Sequence, residues 1–371
     1  MLVRALDKLW PDLPAADEQP TRAGDDSGRA GGRSLVLVAG SGRSGTSLFT
    51  GILQRLGFHV PPPEVPPDET NPRGFAESQW VVDFHTDLLR RAEAQVADAR
   101  PAAWARTANV LFDDGVRRAL RTWLGKQFGD ADDIIIKDPR LSWFLPLWRD
   151  CAEELGVSPR FATVLRHPAE VVDSKQRSYG GWHGDVGLTA GWLNLALFTE
   201  RATRGSQRVF VRYGDLLDDW PRVIGRAGDV LDLAVVRDAP AASIVRVHDF
   251  VDRTLNRSRA TWDDFEVPDA LRSQVDEVWE LMSRLATPDE GASAEIEERL
   301  EAARAAYISL YEDSEAIVQS SIAAAHRRAP ARRRPMVRLL RRVPVRYRRK
   351  VPLRWRMTAA RVLYRSGASG R

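Results

Sequence analysis

Short apolar runs alternate with longer stretches of helical period along the first two thirds of the chain. The runs at 35–39, 133–136, 161–165 and 208–212 read as strands. Between and after them the apolar spacing predicts helices at 45–56, 79–90, 113–128, 143–154, 188–204, 271–285 and 294–325, with a further helix opening at Pro168. Strand and helix alternating in this way predict an α/β domain with a parallel sheet flanked by helices and a helical C-terminal extension. Residues 1–33, rich in Pro, Gly, Asp and Arg without an apolar period, predict a poorly ordered lead-in. The proline-rich connection Val60-Pro-Pro-Pro-Glu-Val-Pro-Pro follows the first helix. No internal repeat is found.

The first strand runs into Gly40-Ser-Gly42-Arg43-Ser44-Gly45-Thr46-Ser47, and this turn carries the first chemistry. Small residues let successive backbone N–H groups face an anion, and the helix that follows adds the positive end of its dipole. Gly40 and Gly45 keep the spacing of a nucleotide-triphosphate loop, but Thr46 stands where that loop has lysine. Arg43 supplies the cation instead, so the expected fold is a P-loop NTPase-like sheet with an altered anion preference.

A second cationic feature lies at Arg166-His-Pro168, where a strand ends and a helix begins, with Ser174 about two turns along that helix. A guanidinium forks onto phosphate oxygens and a hydroxyl donates one further bond. Lys137-Asp138-Pro139-Arg140 closes the strand at 133–136 and therefore points to the carboxyl edge of the sheet, where open α/β folds bind ligands. Lys137 there suits either an anion or a structural salt bridge. Asp138 also mimics the magnesium-holding aspartate of an ATP-using enzyme, a reading opposed by the missing loop lysine.

Arg43-Ser44-Gly45-Thr46 after the first strand, and Arg166 with Ser174 eight residues later, resemble the two nucleotide-binding elements of sulfotransferases that use 3′-phosphoadenosine 5′-phosphosulfate (PAPS). The resemblance spans 35–217. It implies that Gly42, Arg43, Ser44, Gly45, Thr46 and Ser47 hold the 5′-phosphosulfate, that Arg166 and Ser174 hold the 3′-phosphate, and that Tyr213 approaches the adenine. Tyr213-Gly-Asp215-Leu departs from the family's Tyr-Glu-Asp-Leu at Gly214, and an aromatic at a strand end also suits plain packing. The family's late Arg-Lys-Gly segment has no match in spacing, and neither Arg257 nor Arg259 is carried over. Asn71-Pro-Arg73-Gly74-Phe75-Ala-Glu77 is similar to the Asn-Pro-Lys/Arg-Gly-(aromatic)-x-Glu segment of bacterial and carbohydrate-type members, which implies Glu77 as the general base. A carboxylate just before a helix also suits the helix dipole. His85 is the second candidate base, with His59 and His183 more distant. Arg43 and Lys137 would stabilise the departing phosphate oxygen.

Composition narrows the picture further. Six histidines and one cysteine show no metal-ligand spacing, so no metal is expected, and Cys151 in a helical pattern reads as a buried structural thiol. From 327 to 371 the chain has 17 Lys plus Arg and no acid; taking these from the total of 55 leaves 38 basic against 51 acidic residues in the body. Such a tail, interleaved with Val337, Leu339, Leu340, Trp355 and Met357, suits an anionic membrane surface, docking on an acidic body, or nucleic acid, the last being the least expected. No stretch approaches the roughly 20 apolar residues of a membrane span and no secretory segment is recognised. The expected domains are a lead-in at 1–33, a sulfotransferase domain at 34–326 and a basic tail at 327–371. The expected protein is cytoplasmic, or peripheral at the inner membrane surface. Its expected acceptor is a small molecule or glycolipid, with Trp143, Trp148, Trp182 and Trp192 hinting at a sugar. An ATP-dependent kinase or nucleotidase and a non-catalytic membrane-surface adaptor are the alternatives.

Overall fold

The computed structural model describes residues 32–179, 184–256, 258–287 and 294–328. The lead-in at 1–31, His183, Trp182, Arg257 and the tail from 329 onward lie outside the described residues. Two units are distinguished, Met1–Tyr311 and Glu312–Arg371, and the fold below is that of the first.

Four parallel strands, β1 (Ser34–Ala39), β2 (Asp133–Lys137), β3 (Arg160–Leu165) and β4 (Arg208–Arg212), form one sheet in the order β2-β1-β3-β4. Their residues alternate between two hydrophobic layers. Leu35, Leu37, Ile134, Ile136 and Phe161 face one cluster, and Val36, Val38, Ile135, Ala162 and Val164 face the other. A sheet covered on both faces needs apolar residues at every position, which is why the strands lack a polar alternation. Register places Val38 opposite both Lys137 and Ala162, and Leu165 opposite Arg212. The carboxyl ends of all four strands therefore share one edge.

Helices Gln79–Arg91, Ala102–Leu111, Asp114–Asp130, Leu145–Glu153 and Asp185–Ala202 cover one face, and Thr46–Leu56, Trp220–Val230 and Ala241–Phe250 cover the other. The helix expected at 143–154 opens instead as a 3-10 turn, Leu141–Phe144, before Leu145–Glu153. Pro146 accounts for the boundary, because proline is accommodated in a helix's first turn and breaks backbone bonding further in. Helix Asp269–Leu285 and the start of Ala294–Arg328 pack against helix Asp185–Ala202 in a third cluster that contains Leu281, Met282, Ile296 and Tyr307. The Tyr307 hydroxyl donates to the Ala99 carbonyl at 2.5 Å. Cys151 is buried, and burial raises its thiol pKa to about 11.

Candidate active site

Gly40 follows β1 with a φ of 135°, and a Cβ there would stand 2.6 Å from the Val164 carbonyl oxygen. Glycine is required because the loop passes against β3 in a backbone conformation that side-chain-bearing residues avoid. Gly45, with φ 97°, is required for a different reason: its Cβ would lie 2.2 Å from the Tyr213 ring. Tyr213, at the end of β4, thus packs directly over the loop. Arg43 itself adopts a positive φ of 75°, an uncommon state for a residue with a side chain that often marks functional turns. Helix Thr46–Leu56 begins at the loop with no side-chain cap, so the loop and its first N–H groups carry the positive helix end. Ser44 Oγ is buried within the turn without a protein partner.

The two cationic features found in the sequence meet at this loop. Arg43 Nε donates to Ser174 Oγ at 3.0 Å across 131 positions of sequence, and Arg166 Nη1 donates to the Arg43 carbonyl at 3.2 Å. Arg166 is held by Glu170 Oε2 (2.7 Å) and Asn256 Oδ1 (2.7 Å), and its guanidinium lies 4.7 Å from the centre of the Tyr213 ring. Burial raises the Tyr213 phenol pKa. Asp68 fixes the opposite wall, since its Oδ1 accepts from the Thr70 and Asn71 N–H groups and so presents the Thr70 carbonyl to both Arg43 terminal nitrogens at 3.4 Å.

Lys137, the last residue of β2, donates to Ser47 Oγ at 3.0 Å and to Glu77 Oε1 at 2.5 Å. Both members of the pair are buried. The proline-rich connection positions Glu77 through its backbone, with Val65 N–H donating to the Glu77 carbonyl and Gln79 N–H to the Pro63 carbonyl, each at 2.8 Å. Burial raises the Glu77 carboxyl pKa, outweighing the Lys137 ammonium, and nearby Asp138 pushes the same way. A carboxylate tuned upward is a better proton acceptor at neutral pH.

These groups line one cleft of about 830 Å³ at the carboxyl edge of the sheet. Gly42, Arg43, Gly45, Thr46, Ser47, Glu77, Lys137, Arg166, Ser174 and Tyr213 all border it. Ser44, expected among the donor-binding residues, does not border it, being tucked inside the turn. His85 is not at the cleft. It is fully buried, accepts from Trp148 Nε1 at 2.9 Å through Nε2, and meets Asp138 through Nδ1 at 3.3 Å. With one nitrogen accepting, the other carries the proton toward the carboxylate, so the ring has no free site for an acceptor's proton. His59 is likewise a half-buried neighbour of the sheet, its N–H and carbonyl bridging to β2. Asp138 does not resemble a magnesium ligand either. It is buried behind the cleft, where Arg140 N–H and Nη1 bind it at 2.6 and 2.7 Å, and the bonds from His85 and Arg140 hold its pKa down.

The tryptophan hint is corrected in the same way. Within the core Trp143 stacks on Trp104 and Trp148 meets His85 edge-on, and Trp192 is buried against the C-terminal helices. Large aromatic residues in amphipathic helices bury first, and none of these three reaches the cleft.

A residue not singled out in the sequence also meets the loop. Lys175, next to Ser174, is buried and donates to Ser41 Oγ at 2.9 Å. Nothing in the polar stretch Ser174-Lys-Gln-Arg marks this lysine as interior.

Neither a family model nor a curated protein matches the chain. Among solved structures, the chain is similar to the sulfotransferase domain of the Synechococcus PCC 7002 olefin synthase, with 16% identity and a TM-score of 0.41 over 71% of this chain and 98% of that one. It is also similar to the sulfotransferase domain of the curacin biosynthetic pathway, with 13% identity and a TM-score of 0.38 over 69% and 99%. No helix of the described residues is long and apolar enough to cross a membrane.

Proposed function

We propose that the cleft binds PAPS and transfers its sulfuryl group to a hydroxyl or amine of an acceptor. The observation that carries this reading is the junction of Arg43, Ser174 and Arg166, which gathers donors for two separate anions around one loop. The residues fit the donor. The loop N–H groups, Thr46 and Ser47 suit the 5′-phosphosulfate, Arg166 and Ser174 suit the 3′-phosphate, and Tyr213 offers a ring face beside them. In the transfer, the acceptor oxygen or nitrogen forms its bond to sulfur as the bond from sulfur to the 5′-phosphate oxygen breaks. The acceptor's proton goes to Glu77, whose Oε1 is steadied by Lys137 while its second oxygen remains for the proton. The electron pair leaves with the phosphate oxygen, and Arg43 and Lys137 stabilise the charge that develops there.

Calorimetric titration with 3′-phosphoadenosine 5′-phosphate and with ADP tests the reading. Tighter binding of the 3′-phosphorylated nucleotide, with the preference lost in Arg166→Ala, is the expected result. Equal affinity of the wild-type protein for both nucleotides refutes it.

A further inference from the structure

The loop lacks its sequence lysine, yet the fold returns an ammonium to it from another segment. Lys175 reaches the loop from helix Pro168–Tyr179, and among the described residues its one polar partner is the neutral Ser41 hydroxyl at 2.9 Å. No carboxylate pairs with it among the described residues. A buried cation without a counter-charge is unfavourable, and burial alone lowers the Lys175 pKa to about 8. Proteins seldom keep such a charge inside unless an anion joins it. Two further observations mark where that anion belongs. Ser41 opens the turn whose closing residue, Ser44, donates its N–H to the Ser41 carbonyl, and Ser44 Oγ is buried there with no partner.

We propose that Lys175 is the counter-charge of the anion loop, a positioning residue that acts through Ser41 on the phosphosulfate end of the donor and not on its 3′-phosphate end. This rests on the donor reading above. It accounts for a loop that tolerates Thr46 in place of the usual lysine: one ammonium lies behind the loop at Ser41 and a second, Lys137, lies at Ser47 on the cleft side. Arg43 then completes three cations around one turn, a density suited to a strongly charged ligand group.

Calorimetry with three probes, 3′-phosphoadenosine 5′-phosphate, 3′-AMP and inorganic pyrophosphate, tests the assignment on the wild type, Lys175→Met and Ser41→Ala. Lys175→Met is expected to weaken the bisphosphate and pyrophosphate by about 10-fold or more while changing 3′-AMP affinity little, as removal of a buried charge from one end of a ligand should. Ser41→Ala keeps the ammonium but removes its partner, and should move the same two probes in the same direction by less. A thermal midpoint for Lys175→Met at or above that of the wild type separates this from a structural role, which would lower it. Unchanged bisphosphate affinity in Lys175→Met, or equal losses for bisphosphate and 3′-AMP, overturns the proposal and leaves the donor reading standing. A wild-type protein that binds pyrophosphate but not the bisphosphate refutes the donor reading alone, and the pyrophosphate comparison then decides Lys175. Binding of no probe overturns both.

Discussion

Removing the Lys137 ammonium by Lys137→Met leaves Glu77 buried with no cation on its Oε1. Breaking one partner of a buried pair costs about 3–5 kcal/mol when the remaining charge must stay ionised. Glu77 has an alternative, because it can take up a proton. Its unfolded-state pKa is near 4.5, so holding it neutral at pH 7 costs about 3.4 kcal/mol, from roughly 2.5 pH units at 1.36 kcal/mol each. That figure caps the penalty from Glu77 at pH 7. A folded-state pKa raised above the unfolded value means the folded protein binds more protons, so stability falls as pH rises above the unfolded value. The penalty should therefore shrink by about 1.4 kcal/mol per pH unit on acidification and be below about 1 kcal/mol at pH 5. Urea denaturation of Lys137→Met at pH 5, 6 and 7, against the double variant Glu77→Gln/Lys137→Met, reads this directly. The double variant should lack the slope. A stability loss that is equal at all three pH values, or equal in both variants, refutes the account of the pair as a carboxylate tuned by burial and steadied by an ammonium.

Other outcomes follow from single contacts. Glu77→Gln keeps the shape and the lysine contact but cannot accept a proton, so sulfuryl transfer should fall by about 10²–10⁴-fold with nucleotide affinity nearly unchanged, as measured by radiolabel transfer beside calorimetry; a loss below tenfold removes Glu77 as the base. Gly45→Ala drives a methyl into the Tyr213 ring and forces a strained φ, and the thermal midpoint should drop together with nucleotide affinity. The companion Gly45→Ala/Tyr213→Ala should recover part of the stability. His85→Phe orphans Trp148 Nε1 and one bond of Asp138, and should cost about 1–3 kcal/mol in urea denaturation per group left unpaired while leaving the pH profile of transfer unmoved.

What the sequence could reveal was what is encoded locally. The four strands are contiguous apolar runs, and the loop announces itself through Gly40, Gly45 and Arg43 within six residues. Arg166 and Ser174 were legible because strand end and helix lie on one short segment. The joining of these features was not, since the Arg43 to Ser174 bond depends on β1 and β3 being neighbours in the sheet. Lys175 was hidden because its burial is set by the loop it packs under and not by any apolar period of its own helix. His85 and the tryptophans misled for the complementary reason: residue types that serve chemistry or sugars also fill cores, and only the position of the neighbouring helices decides between these roles. The shortest helices after β4, Tyr213–Asp218 and Ala234–Arg237, carry too few turns to establish a period.

On the donor reading proposed above, the contact between Arg43 and Ser174 ties both phosphate subsites to a single guanidinium. A fragment carrying one anion must disturb an arrangement shared with the other subsite and so meets only part of the reward, whereas the intact nucleotide settles both at once. Half-molecules should therefore compete poorly even in combination, and the cleft would act as a coincidence detector that ignores the abundant singly phosphorylated adenosines around it.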